Sequence, residues 1–146
     1  MEKVIYINSP EEMISFGEEI GKKLEANMLI ALDGDLGAGK TTFTKGIAKA
    51  LGVKRIVNSP TFVIMKIYEG RLTLYHLDVY RTNDSDFELA EYFEAGGVCV
   101  IEWSDNIASL LPKSYLHINI SDLGDNKRKV LLEWNDNAYD KVVGYE

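Results

Sequence analysis

The chain has 146 residues, room for one domain with a real core and little room for two. Its 46% hydrophobic content places it among soluble globular proteins, and with one cysteine, no membrane-length apolar run and no secretory apolar segment behind the charged amino terminus, a reducing cytoplasm is the expected setting. One cysteine (Cys99) excludes an internal disulfide, two histidines are too few for an ordinary zinc site, and a net charge of −7 disfavours free nucleic-acid binding.

Val4–Ile7 reads as a short strand. Ser9-Pro10-Glu11-Glu12 then starts a helix, with Ser as N-cap, Pro at the first helical position and Glu closing a capping box. Met13, Phe16, Ile20 and Leu24 follow at spacings of three and four, the buried stripe of a scaffold helix whose start can border a nucleotide base. Met28–Leu32 is an unbroken apolar run, the pattern of a strand buried on both faces.

The next stretch, Gly34-Asp35-Leu36-Gly37-Ala38-Gly39-Lys40-Thr41, matches G-x-x-x-x-G-K-[ST] at every fixed position. Phe43, Ile47, Ala48 and Leu51 continue at helical spacing, and Gly52 is a natural stop. Strand, glycine loop and helix together are what phosphate binding requires. Backbone N–H groups from Gly34 through Thr42 can close around phosphate oxygens, and the helix N-terminus adds partial positive charge. Lys40 is then in reach of the β- and γ-phosphates, and the Thr41 hydroxyl is placed for Mg²⁺. The pattern predicts a nucleoside-triphosphate protein.

Asn58-Ser59-Pro60-Thr61 reads as a turn. Phe62–Tyr68 and Leu72–Val79 read as strands of a hairpin joined at Glu69-Gly70. Period two puts Leu72, Leu74, His76 and Asp78 on one face of the second strand. Residues 84–94 form a short acidic helix ended by Gly96-Gly97. Val98–Ile101 then runs uninterrupted into Glu102, the better of two Walker-B-like patterns, the other being the strand that ends at Asp78. Asp105–Leu111 reads as a further short helix, stopped by Pro112. Leu116, Ile118 and Ile120, then Val130, Leu132 and Trp134, alternate with polar residues about a turn at Gly124-Asp125-Asn126, an antiparallel hairpin at the sheet edge. The polar tail from about 136 reads as frayed. The whole is one α/β domain over residues 1–146, P-loop NTPase-like and three-layered, with a mixed, mostly parallel sheet.

Triphosphate hydrolysis is mostly positioning and charge stabilisation. Mg²⁺ falls to Thr41 with Glu102 or Asp78, the other carboxylate orienting water, and Thr61 is the candidate γ-phosphate sensor. His76 reads as a hydrogen-bonded core residue, and nothing around Ser59 resembles a nucleophile elbow. Cys99 and Trp134 read as core, and Trp103 as packing on nucleotide or partner. The absence of an Asn-Lys-x-Asp motif favours ATP. With four arginines and no arginine-rich lid, only Arg81 is placed for a cis arginine finger, so slow hydrolysis accelerated by a partner is expected. A small-molecule kinase and a nucleotide-gated binding module without turnover remain open. Residues 36–68 hold six bases and no acid, whereas seven acids and no base lie between Arg81 and Lys113, so a basic face near the nucleotide can meet an anionic partner.

Four motifs in order, the glycine loop through Thr42, Ser59-Pro60-Thr61-Phe62, His76-Leu77-Asp78-Val79-Tyr80-Arg81 and Ile101-Glu102-Trp103, make the chain resemble the TsaE (YjeE) family of small bacterial ATPases over roughly its first 115 residues. The resemblance implies an ATP-hydrolysing subunit for threonylcarbamoyladenosine synthesis at position 37 of tRNAs reading A-starting codons. Such a subunit acts on a TsaB–TsaD heterodimer and reaches tRNA only through that complex. It also implies that Thr41 and Glu102 hold Mg²⁺, that Asp78 has a Walker-B or water-orienting role, and that Thr61 is switch-like.

Overall fold

The computed structural model describes residues 1–35, 37–57, 65–80 and 87–144. Seven strands among them form one sheet: β1 (Glu2–Ile7), β2 (Leu29–Gly34), β3 (Met65–Tyr68), β4 (Leu74–Asp78), β5 (Val98–Glu102), β6 (Leu116–Gly124) and β7 (Lys127–Trp134), in the order β1-β7-β6-β2-β5-β4-β3. The central ladders, β6–β2, β2–β5 and β5–β4, are parallel. Antiparallel ladders flank them on both sides. The carboxy-terminal hairpin is antiparallel as its alternation predicts but does not form the sheet edge, because β1 pairs with β7 outside it. The hairpin turn carries Asp125 and Asn126 in the left-handed region, as a tight turn requires.

β2 is buried on both faces because each face has its own cover. Ile30 and Leu32 point toward helices α1 (Pro10–Lys23) and α2 (Lys40–Ala50) and the short helix α3 (Asp140–Val143), which seal one large core. Leu29 and Ala31 point to the other side, where two 3₁₀ segments, Phe87–Glu94 and Ser104–Leu110, supply Leu89, Phe93 and Ile107. The result is three layers, with the α-helices on one side only. α1 and α2 pack at very close range: a Cβ built on Gly17 would stand 2.2 Å from the Phe43 carbonyl oxygen, and one on Gly46 2.2 Å from that of Ile14.

α1 starts as its sequence predicts. Ser9 Oγ accepts the Glu12 N–H at 3.1 Å, and the Glu12 carboxylate reaches back to the N–H of Asn8 at 2.9 Å, one residue before the cap itself. Two expectations need correction. The β3–β4 connection is not a turn at Glu69-Gly70 but the five residues 69–73, because this segment is bonded to the ends of α1 and α2. Arg71 N–H donates to the Leu51 carbonyl at 2.8 Å and its guanidinium to the Gly21 carbonyl at 3.0 Å. Nor is the tail frayed through residue 144. Tyr139, Val142 and Val143 are buried, Trp134 Nε1 donates to Asp140 at 2.7 Å, and Tyr139 Oη accepts the Leu29 N–H at 3.0 Å. Their spacing of three and one lies inside an otherwise polar stretch that masks it. The turn Asn58–Thr61, the first residues of the strand expected from Phe62, and residues 84–86 of the acidic helix lie outside the described residues. No helix among the described residues is long and apolar enough to cross a membrane.

Candidate functional site

The glycine loop leaves the carboxyl end of β2 between β5 and β6. Gly34, Gly37 and Gly39 have φ of 149°, 78° and 114°, conformations that let the chain turn back on itself at no side-chain cost. The Ala38 N–H donates to the Asp35 carbonyl at 3.0 Å, closing the loop. α2 then begins at Lys40, and its N-cap, Gly39, offers no side chain to the first-turn N–H groups. Those donors are therefore presented at the loop, where an anion would complete them. Thr41 and Thr42, half-buried, occupy this first turn. Leu36, in the loop itself, lies outside the described residues, as do Thr61, Ser59 and Arg81.

Lys40 is buried, 6% exposed, and its ammonium has three neighbours: the Gly34 carbonyl at 2.7 Å, Glu102 Oε1 at 3.8 Å and the Trp103 ring, whose centroid is 4.4 Å away. Glu102 ends β5 and is as deeply buried. Its other oxygen accepts from His76 Nε2 at 2.6 Å, so His76 is a hydrogen-bonded core residue, as its pattern predicts, and Nδ1 is buried with no partner among the described residues. Asp78 ends β4 directly opposite Glu102 in the parallel register. Its Oδ1 accepts the Tyr80 N–H at 3.0 Å. Burial lifts the Asp78 pKa above the ordinary carboxylate range; the Tyr80 bond opposes this and the neighbouring Glu102 charge adds to it. Trp103 adopts a left-handed backbone (φ 64°) straight after Glu102 and lies against Tyr80, ring centroids 4.9 Å apart. Lys40, Asp78, Glu102 and the first turn of α2 thus meet at one end of the parallel strands.

Beside the loop a cleft opens between Ser9, Pro10 and Met13 of the α1 start, the loop and first turn of α2 at Ala38, Gly39 and Thr42, and Asn126 and Arg128 of the carboxy-terminal hairpin. The start of α1 borders it. Cys99 takes no part: its thiol donates to the Tyr92 carbonyl at 3.3 Å and burial pushes its pKa up to about 12.

Two features escape a reading of sequence alone. Arg128, on β7, donates to the carbonyl oxygens of Ala38 and Gly37. Asp33, one residue before the loop, accepts from Ser104 N–H and Oγ and pairs with His117 Nε2 at 2.8 Å; His117 Nδ1 faces Glu133 at 3.3 Å. Burial pushes Asp33 up, but the bonds from His117 and Ser104 outweigh it and hold the carboxyl below its usual range. The bond to Asp33 raises His117 against the effect of its own burial. Asp33 ends an apolar run and could have been noted for that. Nothing local marks Arg128 or His117, which reach the loop region across the sheet.

The family model of the Threonylcarbamoyl adenosine biosynthesis protein TsaE matches residues 7–130. A protein of Bacillus subtilis called tRNA threonylcarbamoyladenosine biosynthesis protein TsaE is 46% identical over 92% of this chain and 87% of its own. A protein of the same name from Treponema pallidum is 40% identical over 84% of this chain and 93% of its own. In three dimensions the fold is similar to the crystal structure of YdiB from Bacillus subtilis, with a TM-score of 0.88, 39% identity, and coverage of 99% of this chain and 93% of that one. The match of the family model across the loop, both strand-end carboxylates and Arg128, with relatives this similar over most of their length, establishes that the chain belongs to the TsaE family of threonylcarbamoyl adenosine biosynthesis proteins.

Proposed function

We propose that this protein is a Mg²⁺-dependent ATPase that serves threonylcarbamoyladenosine modification of tRNA by acting on a TsaB–TsaD complex, turning over slowly without it. The observation that carries the reading is the convergence of the Lys40 ammonium and two strand-end carboxylates, Glu102 and Asp78, on a glycine loop that opens a helix.

The residues fit both ATP and the metal. The loop and first turn of α2 supply N–H donors to the phosphates, and a small cleft lined in part by Met13, Pro10, Ser9, Thr42 and Asn126 adjoins them. Among the described residues no group of three or more His, Cys, Asp or Glu could hold a metal by itself. Thr41 with Glu102, or with Asp78, would hold Mg²⁺ together with phosphate oxygens, as this ion is ordinarily bound, and the ion would supply neutralisation of charge between the β- and γ-phosphates. Lys40 exchanges the Gly34 carbonyl for phosphate oxygen without leaving the reach of Glu102. His76 fixes the Glu102 carboxylate through its second oxygen. Asp78, less constrained, orients the attacking water, and Trp103 with Tyr80 limits solvent on one side. tRNA is reached through the complex, consistent with the acidic net charge.

Phosphate release from ATP and Mg²⁺, with and without TsaB–TsaD, tests the proposal on wild type and Glu102→Ala. Partner stimulation of the wild type and at least a tenfold loss in the variant are expected. Release indifferent to the partners would remove the assigned pathway, and phosphate delivered to an acceptor other than water would make the protein a kinase.

A further inference from the structure

One side chain, on the wall of the cleft beside the glycine loop, holds the loop from across the sheet. Arg128 lies on β7 just past the hairpin turn, and its guanidinium crosses to backbone 90 positions earlier in the chain. Nε donates to the Ala38 carbonyl at 2.8 Å and Nη2 to the Gly37 carbonyl at a longer 3.4 Å. Nη1 is anchored by Asp122 at 2.9 Å and by the Lys127 carbonyl at 3.0 Å. A trans peptide directs its C=O and N–H to opposite sides. Drawing the Ala38 carbonyl toward β7 therefore turns the Gly39 N–H away from β7. Gly39 itself, at φ 114° and without a Cβ, cannot fix that plane alone. The Ala38 N–H, part of the peptide whose carbonyl is Gly37's, is taken up by Asp35.

We propose that Arg128 is a positioning residue that pins two successive loop peptides, so that the Gly39 N–H is preset to meet the β-phosphate of a nucleotide. The proposal rests on the nucleotide reading above. It uses the planar fork of arginine: two donors of one rigid group reach two carbonyls while a third binds Asp122. Lysine keeps the charge and loses the fork.

The test measures binding of ADP with Mg²⁺ and of AMP to the whole protein by titration calorimetry, for wild type, Arg128→Ala and Arg128→Lys. Amide exchange at Ala38 is followed in the nucleotide-free protein. Arg128→Ala should weaken ADP about tenfold and AMP, which has no β-phosphate, less than about twofold. Arg128→Lys should recover only part of the loss. Ala38 exchange should quicken about tenfold in the alanine variant while Ile47, inside α2, is unaltered. Wild-type affinity for ADP in Arg128→Ala, equal losses for ADP and AMP, or unchanged Ala38 exchange would each overturn the proposal. A wild-type protein that binds neither nucleotide would overturn the nucleotide reading instead, and the exchange at Ala38 would still decide whether Arg128 holds the loop.

Discussion

Glu102 and Asp78 stand side by side at the ends of neighbouring strands, yet they are held very differently. Glu102 is locked between His76 and Lys40, whereas Asp78, among the described residues, accepts the Tyr80 N–H and feels Glu102 against it and Lys40 and His76 in its favour, with burial outweighing them. An acid whose pKa rises on folding is disfavoured in its charged form by the fold, a penalty present in full at neutral pH that fades as pH falls through the raised value toward the ordinary 3.8. Asp78→Asn keeps an acceptor for Tyr80 and removes the penalty. It should raise the melting temperature by about 1–3 °C at pH 7 while lowering phosphate release at least tenfold. A thermal melt and the release assay on one preparation check both, and a fall in melting temperature would show that the charge is stabilised in place. At this scale the sequence was informative wherever chemistry is local. An apolar strand running into a carboxylate singles out Asp78 and Glu102, and the glycine pattern singles out Lys40, three residues that the fold brings together. Arg128, Asp33 and His117 owe their place at the loop to contacts between residues 71 to 91 positions apart, which no spacing rule encodes.

Between elements, the tightest contact is that of α1 with α2, and it matters to the site because α2 begins at Lys40. Met13 of α1 lies under the loop, so that a Cβ on Gly39 would come within 3.3 Å of its Cε. Gly46→Ala would set a methyl 2.2 Å from the Ile14 carbonyl oxygen and 2.9 Å from the Glu18 nitrogen, both backbone atoms that cannot rotate aside. The helices must part, at a cost of about 3 kcal/mol. The urea midpoint should fall accordingly, and the variant should bind nucleotide less tightly even where it remains folded. Periodicity made α1, α2 and the central strands legible, since each has one or two clear apolar faces. It misread residues 69–73, where Arg71 and Gly70 answer to the ends of two helices instead of to a hairpin, and the tail, where Tyr139, Val142 and Val143 are too few among polar neighbours to form a pattern.

Over the whole molecule, the sheet is tied across its middle by the Asp33–His117–Glu133 contacts, which join β2, β6 and β7. Because His117 is raised on folding, its contribution is complete below its ordinary value of 6.5 and is lost as pH climbs through the raised one. Asp33, lowered on folding, contributes above its ordinary 3.8 and loses that as pH falls through the depressed value. The two overlap between those ordinary values. Urea unfolding should therefore show a lower midpoint at pH 8.5 than at pH 6, and His117→Asn should flatten that difference; a slope unaltered in the variant would place its origin elsewhere. The charge asymmetry of the sequence is also visible at this scale: Lys45, Lys49, Lys54 and Arg55 are exposed on α2 and the segment behind it, only Lys49 facing an acid, Glu18, at 3.8 Å among the contacts described.

The edge strand β1 pairs Glu2 with Glu133 and Ile7 with Arg128. Translated into the order in which a ribosome delivers residues, β1 has no ladder to join until β7 has emerged. β2 waits likewise, since the strands on either side of it, β5 and β6, arrive some seventy and ninety residues later. At roughly 5–20 residues per second, the amino-terminal strand is without its ladder for on the order of ten seconds. The nascent chain can wind α1 and α2 during that interval, but the glycine loop gains its Arg128 contacts only when β7 arrives, so the backbone of the loop is made long before the side chain that holds it.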